Sequence, residues 1–264
     1  MNININAWSE FMTGVAVLNI CLILYVLTNV KTNFEMKLYI LAFIFVLVNS
    51  IRSIWLRTDS TRICIFDTIM SSPLLGRTMT TISELAFVAL IVLVFKQVVK
   101  RGNHDPVLDM MLNAILVIIL IAEVFCWSGC LSTNTFWNML EESSWTLSSI
   151  ILTIVIVLVL RNEKNKTIKR LLYIGIVATI IYEIFMIKVD VPMYAKRANN
   201  PDKEVQKMTL FEKIMDMFKC KRISNSNKDW NQEIPWMTGY FTMGSWLTIA
   251  LVNWYTNNRR LFKS

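Results

Sequence analysis

Histidine is almost absent from this 264-residue chain. The only one, His104, lies in a polar loop, which excludes zinc hydrolase chemistry because several His or Cys ligands must converge on one metal. Cysteine is sparse too, and its spacing suits neither metal nor redox work. Cys21, Cys64, Cys126, Cys130 and Cys220 include no Cys-x-x-Cys, which removes the disulfide-forming quinone reductases. Cys126 and Cys130, in Cys-Trp-Ser-Gly-Cys, read as small residues at a helix end. If the outer loops face an oxidising space, Cys64, Cys130 and Cys220 can pair in several ways, and the sequence does not choose between them. Gly-x-x-x-x-Gly-Lys is missing, so nucleotide hydrolysis lacks its phosphate loop. Met1 to Glu10 holds no Lys or Arg, so the basic start of a cleaved signal peptide is absent and the first apolar segment reads as a retained span. No solenoid period or internal duplication is visible.

What the chain has in quantity is apolar length. Hydrophobic residues make up 55%, with only 7 Gly and 5 Pro, a composition that belongs in a membrane. Segments near 11–30, 37–55, 78–98, 110–129, 144–160, 171–188 and 236–254 approach the roughly 20 apolar residues that a helix needs to cross. The expected fold is all-α: one polytopic domain over 1–264 with seven transmembrane helices, since ten-residue alternating strands are absent. Seven spans place the termini on opposite sides. Lys and Arg number 13 in the segments that face inward if the N-terminus is outside, and the outward ones before Lys188 hold only Arg52, Arg57, Arg62 and Arg77. The connection 188–235 adds 10 on the outer side, but much of it lies far from span ends, where the bias acts, so an outer N-terminus is expected.

Within that connection Val205, Met208, Phe211, Ile214, Met215 and Phe218 recur every three or four residues, which predicts an amphipathic helix near 203–219 on the membrane surface or on the outer ends of the bundle. The net charge of +8 sits between apolar spans, where it sets orientation and meets lipid headgroups, so the bilayer is the partner and nucleic acid is not.

Ionisable residues inside the spans concentrate in the outer layer. Arg52, Glu84, Glu123 and Glu183 stand one or two turns inside the outer ends of four spans, with Glu141, Glu142 and Asp190 at the rim. A charge at that depth costs roughly 2.5 to 3.5 kcal/mol on insertion scales, so such residues pair or serve a polar site. Arg52 is the natural counter-ion for the carboxylates. Arg52, Arg57, Arg62 and Arg77 accompany Asp59, Asp67 and Glu84 in a stretch with no Lys, and the planar guanidinium suits carboxylate or phosphate. That stretch is either a network tying helix ends together or a cationic rim for an anionic group.

Pro73 and Gly76 read as helix breakers before span three, Thr78, Thr80, Thr81 and Ser83 as caps at its start, and Glu141-Glu142 as carboxylates at the N-terminus of span five. Pro192 is expected to close span six, and Tyr240 to open span seven within a belt of Trp55, Trp127, Trp137, Trp145 and Trp236. The candidate binding set is Arg52, Arg57, Arg77, Glu84, Glu123, Glu142, Glu183, Asp190 and Tyr240; no catalytic residue, metal ligand or cofactor is implied. Span seven has no lysine, which removes retinal chemistry. The chain reads first as binding or transporting a small ion or polar solute. A membrane enzyme acting on an anionic lipid or isoprenoid is the alternative, and a receptor or structural subunit the third.

Overall fold

The computed structural model describes residues 4–59, 61–102, 105–198, 205, 207–218, 220 and 222–262. His104 and positions 203, 204, 206 and 219 of the expected amphipathic helix lie outside them.

The chain is helical almost throughout: α1 (Ile5–Leu27), α2 (Asn33–Ile54), α3 (Pro73–Arg101), α4 (Pro106–Ser132), α5 (Thr135–Asn162), and α6 (Lys166–Phe185) running through a π-helical turn, Met186–Asp190, into α7 (Val191–Arg197). Short α8 (Leu210–Asp216) and α9 (Asn227–Trp230) follow, then α10 (Ile234–Gly239), a second π-helical turn (Tyr240–Gly244) and α11 (Ser245–Asn257). One pair of two-residue strands, β1 (Ile63–Cys64) and β2 (Arg222–Ile223), joins in parallel.

Among the described residues, six helical runs are long and apolar enough to cross a membrane, the sixth being Lys166–Arg197. The run Ile234–Asn257 is not one of them. Thr238, Gly239, Thr242, Gly244, Ser245 and Asn253 dilute its hydropathy, although it is helical throughout.

The helices outrun their apolar cores because polar caps start them early. The Asn4 side chain accepts from the Asn6 and Ala7 amides, Thr32 and Glu35 form a capping box, and the Asn134 and Asn165 side chains cap α5 and α6. Three expectations change as a result. Pro73 does not break a helix but begins α3, in the first turn, where its missing N–H costs nothing. The cap there is Ser72, whose hydroxyl accepts from the Leu75 amide, while Thr78, Thr80 and Ser83 donate back to carbonyls of their own helix. Glu141 and Glu142 lie two turns inside α5 rather than at its N-terminus, and Glu141 accepts from Asn138 at 3.2 Å.

Pro192 does not end the sixth run. It sits at the start of α7, directly after the π-helical turn, and such a turn changes the local hydrogen-bond register where a proline would otherwise remove a bond and crowd the preceding carbonyl. Within the expected amphipathic segment Val205 and Lys207 are helical, Met208 is bent, and Thr209 opens a further helix, Leu210–Asp216, in a capping box with Glu212.

The chain packs as two compact units, residues 1–87 with 208–259, and 88–207 with 260–264. In the first, α1 packs on α2 and both pack on α11. Where α1 begins, α2 ends and α10 begins, a cap of loops closes over Ile5, Trp8, Met12, Leu56, Trp230 and Phe241. That cap is tied by the Cys64–Cys220 disulfide, by β1 and β2, and by an ion pair between Arg62 and Asp216. In the second unit α4 and α5 form a hairpin, turned at Thr133 in the left-handed conformation, and α6 and α7 pack on α5.

Candidate functional site

Two polar sets lie in the first unit: Glu35 with Arg259 where α2 begins, and a larger one beneath the cap where α2 ends. One stripe of α2, Phe45, Asn49 and Arg52, carries residues four and then three apart and so faces one direction. It meets the π-helical turn. Phe45 packs edge-on to Tyr240 at 5.7 Å, the Asn49 amide donates to the Ser245 hydroxyl at 3.3 Å, and the Arg52 guanidinium lies over the Tyr240 and Phe241 rings at 5.8 and 5.4 Å. A π turn perturbs the regular carbonyl ladder, and here Phe241 O accepts from the buried Asn19 amide at 2.9 Å. Asn19 in turn accepts from the Trp246 indole. The register that this turn imposes points Tyr240 at α3.

There Tyr240 donates its hydroxyl proton to Glu84 Oε1 at 3.1 Å, and Arg77 Nη2 donates to Glu84 Oε2 at 2.8 Å. Arg77 and Glu84 are seven residues apart on one face of α3, and both are buried. The counter-ion of Glu84 is therefore Arg77, not Arg52. Helix geometry decides this, since two turns of α3 bring the pair together on the helix itself.

Arg57 completes the cluster from the loop after α2. Its Nε donates to Asp59 at 2.9 Å, and its guanidinium lies against the backbone of α3 at Gly76, where any Cβ would fall 1.4 Å from Nη2. Gly76 is thus a seat for Arg57 rather than a helix breaker, a role that requires the fold to be seen. Burial works hardest against the ionisation of Asp59, yet Arg57, Arg52 and Arg77 together hold its carboxyl below the ordinary range. Arg52 is the exception among the three arginines. It is 8% exposed and, among the described residues, forms no hydrogen bond or ion pair; it lies over the two rings and reaches Asp59 through its charge alone.

In the second unit Glu183 is half-buried and accepts at Oε1 from the Ser149 and Thr153 hydroxyls, at 3.1 and 2.8 Å. Thr153 also meets Thr179 at 2.7 Å. Glu123 and Asp190 are buried and Glu142 half-buried, and each is engaged within the fold. Of the nine candidate residues, the structure brings Arg52, Arg57, Arg77, Glu84 and Tyr240 together in the first unit. Asp59, Asn49 and Gly76 join them although none was in the binding set; Asp59 was signalled by the arginine-rich stretch and Asn49 by its place at i−3 from Arg52, while Gly76 carried no such signal. Cys126 and Cys130 are buried and lie outside the Cys64–Cys220 disulfide, and no group of His, Cys, Asp and Glu among the described residues is placed to hold a metal ion. No protein-family profile, curated protein or solved structure matches the chain.

Proposed function

We propose that this is a seven-span membrane protein, N-terminus outside and C-terminus inside, whose first-unit polar cluster binds a small ion or polar solute. The seventh span is Ile234–Asn257, long enough at about 1.5 Å per residue to cross about 30 Å of hydrocarbon. The orientation has two supports. The short-loop basic residues favour an inner α5–α6 loop. The Cys64–Cys220 bond ties two loops at the end where α1 begins, and disulfides persist in oxidising compartments. In a glycosylating membrane, Asn165-Lys166-Thr167 then stays unmodified while an acceptor placed before α1 is modified.

The observation that carries the binding reading is Arg52, a buried cation that forms no hydrogen bond or ion pair among the described residues, beside Arg77 and Tyr240, which are both hydrogen-bonded to Glu84. Fully paired networks tie helices together, whereas a buried charge left open costs free energy unless something completes it. The test is thermal unfolding of the purified chain in phosphatidylcholine nanodiscs against a panel of inorganic cations, inorganic anions and neutral polar solutes. At least one class is expected to raise the midpoint, with a weaker effect in Tyr240→Phe. A panel that moves nothing, or that moves both proteins equally, overturns the reading.

Glu183 favours a second reading, proton exchange. Its hydrogen-bond partners among the described residues are hydroxyls, which can turn to donate to a carboxylate or accept from a carboxylic acid. Proton uptake by liposomes that is the same for the wild type and Glu183→Gln removes it.

A further inference from the structure

We infer that Arg52 is the anchor for an oxyanion, a carboxylate or phosphate group of the ligand, which meets the N–H edge of the guanidinium that the Tyr240 and Phe241 rings leave open. The inference rests on the binding reading above and names its ligand class. It starts from the shape of the arginine side chain. A guanidinium is a flat fork with five N–H donors in its plane, so contact between its face and a ring satisfies charge but no donor. The centre of the Arg52 fork lies 5.4 and 5.8 Å from two ring centroids. Its in-plane donors form no hydrogen bond among the described residues, although the residue is more than nine-tenths buried.

Carboxylates are close at hand but committed. Glu84 takes Arg77 on one oxygen and the Tyr240 hydroxyl on the other, and Asp59 takes Arg57 Nε. A cation would enter beside Arg52, Arg57 and Arg77, all three of them buried. A neutral hydroxyl or carbonyl would fill one donor. An oxyanion fills two with the parallel geometry the fork is built for, and gains charge as well. Asn49, one turn earlier on the same face of α2, has its amide nitrogen on Ser245 and its buried Oδ1 unfilled, so a protonated oxygen or an amide on the same ligand has an acceptor beside the anion site.

The same chemistry has two sources, a free anion or the phosphodiester of a lipid headgroup. The experiment separates them. The full chain in micelles of an uncharged sugar detergent, which carries no phosphate, is titrated with inorganic phosphate and with acetate, and a parallel sample is given phosphatidylglycerol in mixed micelles; the thermal midpoint is read in each. A rise with the salts identifies a free anion, and a rise only with phosphatidylglycerol identifies a lipid. Arg52→Gln is expected to weaken the effective response by about 10- to 100-fold, the loss of one charge-assisted pair. Arg52→Lys keeps the charge without the fork and falls between, while Arg222→Gln, an exposed arginine, responds as the wild type does. Without anion, Arg52→Gln loses the two ring contacts and the pull on Asp59, so the response of each variant is read from its own anion-free midpoint.

No response of the wild type in either arm, or an equal response in Arg52→Gln, overturns the assignment. Should Arg52→Gln fail to fold, Arg52→Lys decides: affinity equal to wild type overturns it. If a cation or neutral solute from the wider panel stabilises the protein in a Tyr240-dependent way while the anions do not, the binding reading stands and only the anion class falls.

Discussion

In the first unit the buried carboxylate Glu84 meets a guanidinium and a phenol; in the second, the half-buried Glu183 meets the hydroxyls of Ser149 and Thr153. The two environments make different demands. An arginine fork only donates and carries a fixed charge, so the first set keeps its full attraction only while Glu84 is ionised. A hydroxyl rotates and can either donate or accept, so the second set tolerates a proton on Glu183. The difference divides the candidate charges into a rigid set around Arg77 and an adaptable one around Glu183, and leaves Arg52 belonging to neither.

The largest effect comes from breaking the rigid set. Arg77→Leu removes the partner of a buried carboxylate and is expected to cost about 3 to 5 kcal/mol of stability, read by denaturant unfolding in detergent. Glu183→Gln, which keeps the shape and one acceptor oxygen for the hydroxyls, is expected to cost about 0.5 to 1.5 kcal/mol. Equal costs would erase the contrast between the units.

How far the sequence carries this picture depends on the range of the interaction. The apolar cores of six helices were legible, because about 20 apolar residues in a row have few other uses. Helix ends were not, since polar caps extend the helices past those cores: α5 starts at Thr135 under an Asn134 cap, well before the apolar stretch. The arginine-rich, lysine-free run pointed to the cluster, and Tyr240 was placed near it. Pairing was harder to see. Arg77 and Glu84 are one face of one helix, a local relation that was available in the sequence and lost to the more distant Arg52. The Cys64–Cys220 bond and the Gly76 seat for Arg57 join segments brought together only by folding, and the π turn that aims Tyr240 has no periodic signature of its own.

Gly76 sharpens the comparison from the backbone side. Gly76→Ala puts a methyl where the Arg57 guanidinium sits, so the buried fork must leave Asp59 or push α3 aside, at an expected cost of about 1 to 3 kcal/mol. The double variant tells whether that seat is the cause. In an Arg57→Ala background the same Gly76→Ala change no longer meets the guanidinium, and alanine's better helix propensity is worth up to about 1 kcal/mol, so the sign is expected to reverse. A destabilisation that persists without Arg57 would assign Gly76 to some other contact.

The smallest effect is a dependence on pH confined to the cap. The Asp59 carboxyl lies below its ordinary range in the folded protein because the surrounding arginines outweigh burial, so the folded state holds the carboxylate more firmly than the unfolded chain does. For a depressed acid, the stabilisation is complete above the unfolded value near pH 4 and is lost as the pH falls through the lower folded value. Asp229 behaves the same way: the Ser224 hydroxyl leads in holding its carboxyl down and Arg222 adds to it. The wild-type midpoint should therefore be level from pH 7 to about pH 5 and fall below about pH 4. Asp59→Asn should flatten part of that fall and Asp229→Asn a further part. Because Asp59 sits beside the arginines and Asp229 sits with exposed Arg222 in the cap, the larger share should come from Asp59. A fall unchanged in both variants would move the acid sensitivity out of the cap, to carboxylates deeper in the helices.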